Sequence, residues 1–200
     1  MDADDVTRTV APARDALAGA TDPDRDVPAG LLAWTCWETV EHMGDDLFTY
    51  AAQLGPSRPS VTTHVPTGWQ RRREGGPALT VFVDRAEGPS GLIEVFETCG
   101  AMLAAMVATV PANRLSFHNY GPSDPSGFAA MGVVEVLVHM HDVAGGLGSH
   151  WKPPADLCAG ALRRLFPAAP GGGDPWETRL DVTGRGPGSR EDWKWDGTPR

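Results

Sequence analysis

A glutamate and a histidine stand four residues apart in the most apolar segment of the chain. Between Pro125 and His141, Glu135 is the only Asp, Glu, Lys or Arg, and His139 follows it. In a helix this spacing places both side chains on one face. An ionised carboxylate is costly to bury without a partner. The pair therefore indicates either part of a divalent-metal site or a buried group satisfied by hydrogen bonding, to the histidine or to an arginine from elsewhere.

A metal site would need a third ligand from another helix, and His42 is the candidate. Periodicity does not support it cleanly, because two residues beyond the core position Val40 correspond to about 200° of rotation around a helix. On this pattern alone, His42 is an exposed or capping histidine. The residue spacing therefore leaves the third ligand open.

Two further residues could assist a metal site. Asp142 comes three positions after His139, on the same helix face, and could accept a hydrogen bond that orients this histidine; the alternative is a solvated carboxylate at a helix end. His118 precedes the apolar helix and is either a pocket residue or a solvated loop histidine. The cysteines Cys36, Cys99 and Cys158 lie in apolar surroundings and are predicted core residues, not nucleophiles.

Capping residues, glycines and prolines predict five helices. The apolar spacing of the first indicates residues 4–20, and a capping box at Thr35 and Glu38 starts the second. The predicted bounds of the others follow from Gly-Pro, Asp-Pro and Pro-Pro pairs and from closing glycines or prolines. In order, the second to fifth helices cover residues 35–54, 88–110, 124–146 and 153–166.

The remaining segments indicate a small amount of β-structure. VTTHV and ALTVFVD, within residues 56–88, are typical of short strands, although the segment between them has loop composition. The alternation from Trp176 to Thr183, with Trp193-Lys194-Trp195 after a glycine-rich turn, predicts a terminal hairpin. We therefore expect an all-α fold, an antiparallel four-helix bundle with long loops and a small β decoration near the C-terminus, in a single domain over residues 1–200.

Charge and cysteine content exclude several classes of protein. The net charge of −9 disfavours non-specific binding to nucleic acid or anionic membranes. Three widely spaced cysteines indicate neither a disulfide framework nor a thiolate zinc site. No uninterrupted apolar run reaches the length of a membrane span and the first residues lack a signal sequence. We expect a soluble, cytoplasmic monomer or homodimer.

Several stretches distributed over nearly the whole chain carry a resemblance to a known family. They are Trp34-Thr35 leading into Val40-Glu41-His42, GPSDPSGFAAMGVVEVLVHMHDVAGGLG (121–148), WKPPADL (151–157), ALRRLFP (161–167), TGR (183–185) and WKW (193–195). Together they resemble the DinB-like four-helix bundles and, among these, the mycothiol-dependent maleylpyruvate isomerase group of actinobacterial proteins. The resemblance implies that His42, Glu135 and His139 bind a divalent metal, with zinc as the first candidate and nickel as the alternative.

The resemblance also implies a reaction in which mycothiol, a low-molecular-weight thiol, serves as co-substrate. The thiol is activated on the metal and attacks a small-molecule electrophile, which makes the protein an S-transferase or an isomerase. The isomerases of this group carry a further C-terminal domain, whereas only a short segment follows Pro167 here. We therefore expect an electrophile other than maleylpyruvate. Two alternatives stay open: a hydrolase that uses metal-bound water, and a non-catalytic metal-binding module.

Overall fold

Four long α-helices pack against one another and carry most of the apolar core. In this computed structural model, which describes residues 1–20, 25–186 and 194–199, α1 contacts α3 and α4, and α2 packs against both of these helices. The four helices are α1 (Ala3–Gly19), α2 (Cys36–Leu54), α3 (Gly88–Thr109) and α4 (Pro125–Gly146). The described chain is mostly helical with a small two-stranded sheet, which confirms that part of the predicted fold class.

Two shorter helices and the sheet complete the described structure. α5 (Ala155–Leu165) packs against α4, and α6 (Pro175–Val182) packs against α5. Strand β1 (Gln70–Arg71) pairs antiparallel with β2 (Ala78–Leu79), and a single 3₁₀ turn, Arg85–Glu87, leads into α3. The five predicted helices correspond to α1–α5, with bounds that differ from the predicted ones by at most two residues.

The start of α2 is fixed by the predicted capping box. The Glu38 amide donates to Thr35 Oγ1 at 3.1 Å, and Glu38 Oε2 accepts from the Thr35 amide at 2.9 Å. Both bonds satisfy backbone amides at the start of the helix that have no acceptor within the helix. The box thereby sets which face of α2 each later residue occupies, His42 included.

Helix α4 is the central helix of the structure. Asp124 caps it by accepting from the Gly127 amide at 2.7 Å, and Pro125 occupies the first turn. Nearly every residue from Pro125 to Ala144 is buried, and a Cβ on Gly132 would lie within 3.0 Å of side chains on both α2 and α3. Small residues here let the helices approach closely, so Glu135 and His139 are placed in the interior.

Two segments of the described chain are long and apolar enough to cross a membrane by length and composition. They are Arg85–Thr109 and Pro125–Gly146, and each is interrupted by at least one acidic residue. The most apolar window of the second is 94% buried, as in a core helix, whereas that of the first is 28% buried. One or two such helices are weak evidence for a membrane span.

The predicted β-structure is confirmed only in part, because β2 lies at the start of ALTVFVD. VTTHV forms no strand, and the observed sheet uses Gln70–Arg71 with Ala78–Leu79. The expected terminal hairpin is absent from residues 176–183, where Asp174 caps α6 by accepting from the amides of Trp176 and Glu177. An Asp-Pro start and the burial of Arg179 and Leu180 on one face outweigh the alternating pattern. Trp193, in the other predicted strand, lies outside the described residues.

Candidate metal centre

Three potential metal ligands from two helices meet at one point. His42 comes from α2, and Glu135 and His139 come from successive turns of α4; one ligand atom of each lies within 4.8 Å of those of the other two. Glu135 Oε2 is 3.2 Å from His139 Nε2 and 3.9 Å from His42 Nε2. Ligands about 2.1 Å from a tetrahedral ion are separated by about 3.4 Å. Two of the separations are therefore close to this value and the third is at most 4.8 Å, so the cluster fits one divalent cation once the ligands move closer together.

Because Nδ1 of His139 is hydrogen-bonded to Asp142, the other ring nitrogen, Nε2, is left facing the Glu135 carboxylate. The Nδ1–H of His139 donates to Asp142 Oδ2 at 3.0 Å. A neutral His139 would then direct the lone pair of Nε2 at the Glu135 carboxylate, and two acceptors at 3.2 Å repel each other. Either a proton on Nε2 or a cation between the two atoms relieves this repulsion. The donor atoms thus fit zinc, which takes nitrogen and carboxylate oxygen ligands.

The pKa shifts of the triad agree with this arrangement. Burial, aided by His139, lowers the pKa of His42 to about 3, so this imidazole is neutral and able to bind a metal. Burial opposes protonation of His139 as well, but the hydrogen bonds to Asp142 and Glu135 prevail and raise its pKa. Burial would raise the pKa of Glu135, yet His139 and His42 hold it below the ordinary value. At pH values below the raised pKa of His139, the metal-free triad is therefore a carboxylate, an imidazolium and a neutral imidazole.

An arginine from beyond α6 supports Asp142. Arg185 Nη2 donates to Asp142 Oδ2 at 2.8 Å, and Arg185 Nε lies 3.3 Å from Oδ1. Although burial acts against ionisation, the hydrogen bonds from His139 and Arg185 lower the pKa of Asp142. An ionised Asp142 fixes the tautomer and the ring orientation of His139 when a metal is bound. The structure thus gives Asp142 the position that the sequence predicts for a residue behind a ligand.

A second carboxyl group lies beside the triad and is not anticipated from the sequence. Asp46 follows His42 by one helical turn, with Oδ2 3.3 Å from His42 Nε2. Burial and the negative charge of Glu135 raise the pKa of Asp46 well above its ordinary value. Burial and the same two carboxylates raise the pKa of Tyr50, one further turn along α2. Of the two carboxyl groups, Asp46 is therefore the better proton carrier and Glu135 the better ligand.

The triad opens into a cavity of about 530 Å³ between α2, α4 and the loops. One face of α2 contributes His42, Asp46, Tyr50 and Gln53, which recur every three or four residues beside the apolar stripe. Aromatic rings form much of the remaining wall, and the Trp34 ring centroid lies 4.8 Å from that of His42. The cavity thus has a polar floor at the triad and largely aromatic sides, as small-molecule sites commonly do.

The long segment between α2 and α3 is held against α2 through backbone amides. Three buried side chains of α2 accept from these amides, and each replaces a hydrogen bond that a regular strand would make. The bonds are Glu41 with Val83 at 2.9 Å, Asp45 with Thr80 and Val81 at 2.7 Å, and Gln53 with Val65 at 2.6 Å. They position His64 and Trp69 in the cavity wall.

His118 also lines the cavity, although it is far from α2 in sequence. It lies in the turn before α4, is 7% exposed, and its ring packs against those of Tyr50, Phe128 and Trp195. Burial lowers the pKa of His118 to about 4. Of the two predicted possibilities, the structure shows the pocket position and not the solvated one.

Two arginines of the segment between α2 and α3, Arg72 and Arg73, and the three cysteines lie away from the triad. Arg73 pairs with Glu38 through two nitrogens at 2.6 and 2.7 Å, and Arg72 lies 3.6 Å from Glu41. Neither contributes to the cavity wall. Cys36, Cys99 and Cys158 are buried free thiols, and burial raises the pKa of Cys99 to about 11 and also raises that of Cys158. The predicted core role of the cysteines is confirmed by this burial.

Comparisons of the chain with protein-family models, with curated proteins and with solved structures find no match. The geometry of the triad and its cavity is therefore the basis for any functional interpretation.

Proposed function

We propose that this protein is a DinB-like four-helix bundle that binds one divalent cation, zinc in first place, through His42, Glu135 and His139. We further propose that it is a cytoplasmic S-transferase or isomerase that joins a low-molecular-weight thiol of the mycothiol type to a small electrophile. The observation that carries the proposal is the convergence of two imidazoles and one carboxylate at the floor of a cavity of about 530 Å³. A site with three protein ligands keeps a position for a reactant, as catalytic zinc sites do.

A cation bound at the triad would supply a Lewis acid that lowers the pKa of a thiol or of water. The chain itself performs the remaining tasks. His42 is neutral and needs no deprotonation before it binds, whereas His139 gives up its Nε2 proton and is held in the ligating tautomer by Asp142. With a cation at the triad offsetting the charge of Glu135, the Asp46 carboxylate, 3.3 Å from His42 Nε2, would be placed to take the thiol proton and return it to the product.

The dimensions of the cavity favour a second reactant beside the thiol. Pockets of 300–1,000 Å³ enclose most of a drug-sized molecule, so a cavity of about 530 Å³ has room for the reacting ends of a thiol and a small electrophile. The aromatic wall at Trp34 and Trp69 suits the carbon skeleton of an electrophile, and excludes water from the reacting atoms.

The presence of Asp46 also favours a second candidate, a metal-dependent hydrolase. A carboxylate beside the ligands could take a proton from water as readily as from a thiol. The two functions differ in a single requirement, since a hydrolase turns over its substrate without any added thiol.

The test uses full-length protein that has been stripped of metal and reloaded with Zn²⁺. A panel of conjugated carbonyl compounds is incubated with mycothiol, with glutathione as a surrogate, or with no thiol, and consumption of the electrophile is followed by absorbance. We expect turnover only when both zinc and a thiol are present. Turnover with zinc but without thiol would support the hydrolase, and no turnover with retained metal would favour a non-catalytic module.

A histidine outside the cavity provides the matched control. His139→Ala should lose zinc and thiol-dependent turnover together, whereas His150→Ala, at an exposed position beyond α4, should keep both. Loss of turnover in His139→Ala with full zinc content would contradict the assigned ligand set.

A further inference from the structure

The position of His118 is fixed by the backbone of a tight turn. Ser116 and Ser123 exchange two backbone hydrogen bonds of 3.0 and 2.9 Å, and the Gly121 amide donates to the His118 carbonyl at 2.9 Å. The ring is then enclosed by aromatic neighbours, with the Trp195 centroid at 5.5 Å and the Tyr50 centroid at 6.0 Å. A side chain held by both turn and packing is preorganised for a contact inside the cavity.

The backbone also determines which ring nitrogen of His118 carries the hydrogen. The Tyr120 amide donates to His118 Nδ1 at 3.2 Å. An amide N–H can only donate, so Nδ1 must accept, and in a neutral imidazole the hydrogen then resides on Nε2. Burial lowers the pKa of His118 to about 4, against the opposing effect of Glu135, so the neutral form prevails at neutral pH.

The Nε2–H group of His118 has no hydrogen-bond partner in the part of the chain that the structure describes, and the side chain lines the same cavity as Glu135 and His139. Two other donors of the cavity wall are already engaged. The guanidinium of Arg185 binds Asp142, and the side-chain amide of Gln53 binds the Phe117 carbonyl. The His118 side chain is 7% exposed and its Nε2 atom is not fully buried, so this donor faces the open cavity and is available to a ligand that fills it.

We propose that His118 is a catalytic residue that donates a hydrogen bond from Nε2 to a substrate oxygen that gains negative charge during the reaction. The inference rests on the proposed function and adds an electrophilic group to the cavity that the carboxylates also line. A neutral imidazole suits this task, because it donates a hydrogen bond without neutralising Glu135 or placing a second positive charge near the cation.

The electron balance identifies the oxygen. When a thiol adds to a conjugated carbonyl compound, a sulfur–carbon bond forms at the β-carbon and the electron pair of the C=C bond moves towards the carbonyl, so its oxygen becomes negatively charged. The thiol proton passes to the Asp46 carboxylate and afterwards to the α-carbon, which restores the carbonyl. In an isomerisation the sulfur leaves instead, and the same pair re-forms the C=C bond. His118 stabilises the charged oxygen in either case.

Binding of 4-nitrophenolate tests the donor without any turnover, because this ligand presents a negative oxygen that requires no reaction to form. 4-Nitroanisole has a similar shape and no charge, and serves as the control ligand. Binding of each ligand is measured by absorbance and calorimetry in zinc-loaded full-length protein. The measurement is repeated after metal removal, and the difference between the two affinities shows how much the phenolate gains from contact with the cation. We compare His118→Phe, which keeps a ring but has no donor, with His118→Gln, whose amide can donate from a position near that of Nε2.

We expect His118→Phe to weaken phenolate binding by about tenfold to a hundredfold in both metal states, as for a hydrogen bond to a charged acceptor. Anisole binding should change by less than about twofold, and His118→Gln should restore most of the phenolate affinity. Equal losses for both ligands, or no preference of the unmodified protein for the phenolate, would overturn the proposal.

A second measurement does not depend on any variant. Nitrogen-15 NMR of the unmodified protein should show a protonated Nε2 and an unprotonated Nδ1 for His118, and the reverse pattern would overturn the proposal. If both tests fail while thiol-dependent turnover is intact, the role proposed for His118 is wrong and the proposed function stands. If His118→Phe weakens phenolate binding as expected but no turnover is found, the proposed thiol reaction is wrong, and His118 is part of a site that binds oxyanions.

Discussion

Replacement of Asp142 by asparagine removes one negative charge behind the candidate metal ligand and preserves side-chain volume. Asp142 Oδ2 now accepts from His139 Nδ1 at 3.0 Å and from Arg185 Nη2 at 2.8 Å, with only 6% of the side chain exposed. Asparagine keeps a single acceptor oxygen and no charge. That oxygen can still accept from both His139 and Arg185, but the amide nitrogen cannot accept from Arg185 Nε, and asparagine cannot compensate the positive charge of either residue.

Two magnitudes follow for Asp142→Asn. Loss of a hydrogen-bonded carboxylate behind a ligand histidine typically lowers metal affinity by about 10–100-fold, or about 1.4–2.8 kcal/mol. Removal of one member of a buried charge pair costs about 3–5 kcal/mol of unfolding free energy. The Arg185 side chain is 14% exposed and retains some hydration, so we expect about 3 kcal/mol or less for the metal-free protein.

The assay is a zinc titration against a chromophoric chelator, combined with urea unfolding in the presence of excess chelator. Asp156→Asn is the matched control, since Asp156 pairs with Arg8 at the surface and its side chain is 62% exposed. That variant should change zinc affinity by less than twofold and stability by about 0.5 kcal/mol or less. A folded Asp142→Asn with unchanged zinc affinity would refute the role assigned to Asp142.

Three further predictions concern the triad and the thiols. Because the pKa of His139 is raised, the metal-free protein should lose stability as the pH increases above 6.5, and thermal melts across this range check this. The zinc affinity should increase over the same range, because the proton that competes for His139 leaves, and zinc titrations check that increase. Glu135→Gln and Glu135→Leu should both abolish the stabilisation by zinc that differential scanning calorimetry detects, and a chelator response that persists in both variants would indicate a structural ion pair instead. A triple Cys36→Ser, Cys99→Ser, Cys158→Ser variant that folds should keep its thiol-dependent rate, and loss of that rate with folding intact would point to a protein nucleophile.

Local capping signals account for the success of the helix predictions. The bounds of α2 and α4 follow from Thr35 with Glu38 and from Asp124 with Pro125, and these contacts form in the structure. The same type of signal was present at the start of α6, where Asp174 precedes a proline, but the alternating pattern after it favoured a strand. Over eight residues both patterns fit the sequence, and packing against α5 selects the helix.

The candidate site could be predicted only in part, because its residues come from different kinds of structure. Glu135 and His139 are recognisable from one apolar helix. His42 is 19% exposed at the edge of the α2 core stripe, so rotation around an isolated helix does not identify it. Asp46 was detectable at one turn from His42, and its significance depends on the proximity of Glu135. His118 is positioned by a turn and by aromatic packing, which periodicity does not describe.

X-ray absorption at the zinc edge tests the central claim most directly. The account predicts one zinc per chain with two imidazole nitrogens and at least one carboxylate oxygen at about 2.0–2.2 Å, and no sulfur ligand. The imidazole contribution should decrease in His42→Ala and in His139→Ala and remain unchanged in His150→Ala. A zinc site that contains sulfur, or one that is identical in His139→Ala, would contradict the assignment of His42, Glu135 and His139 as the metal centre.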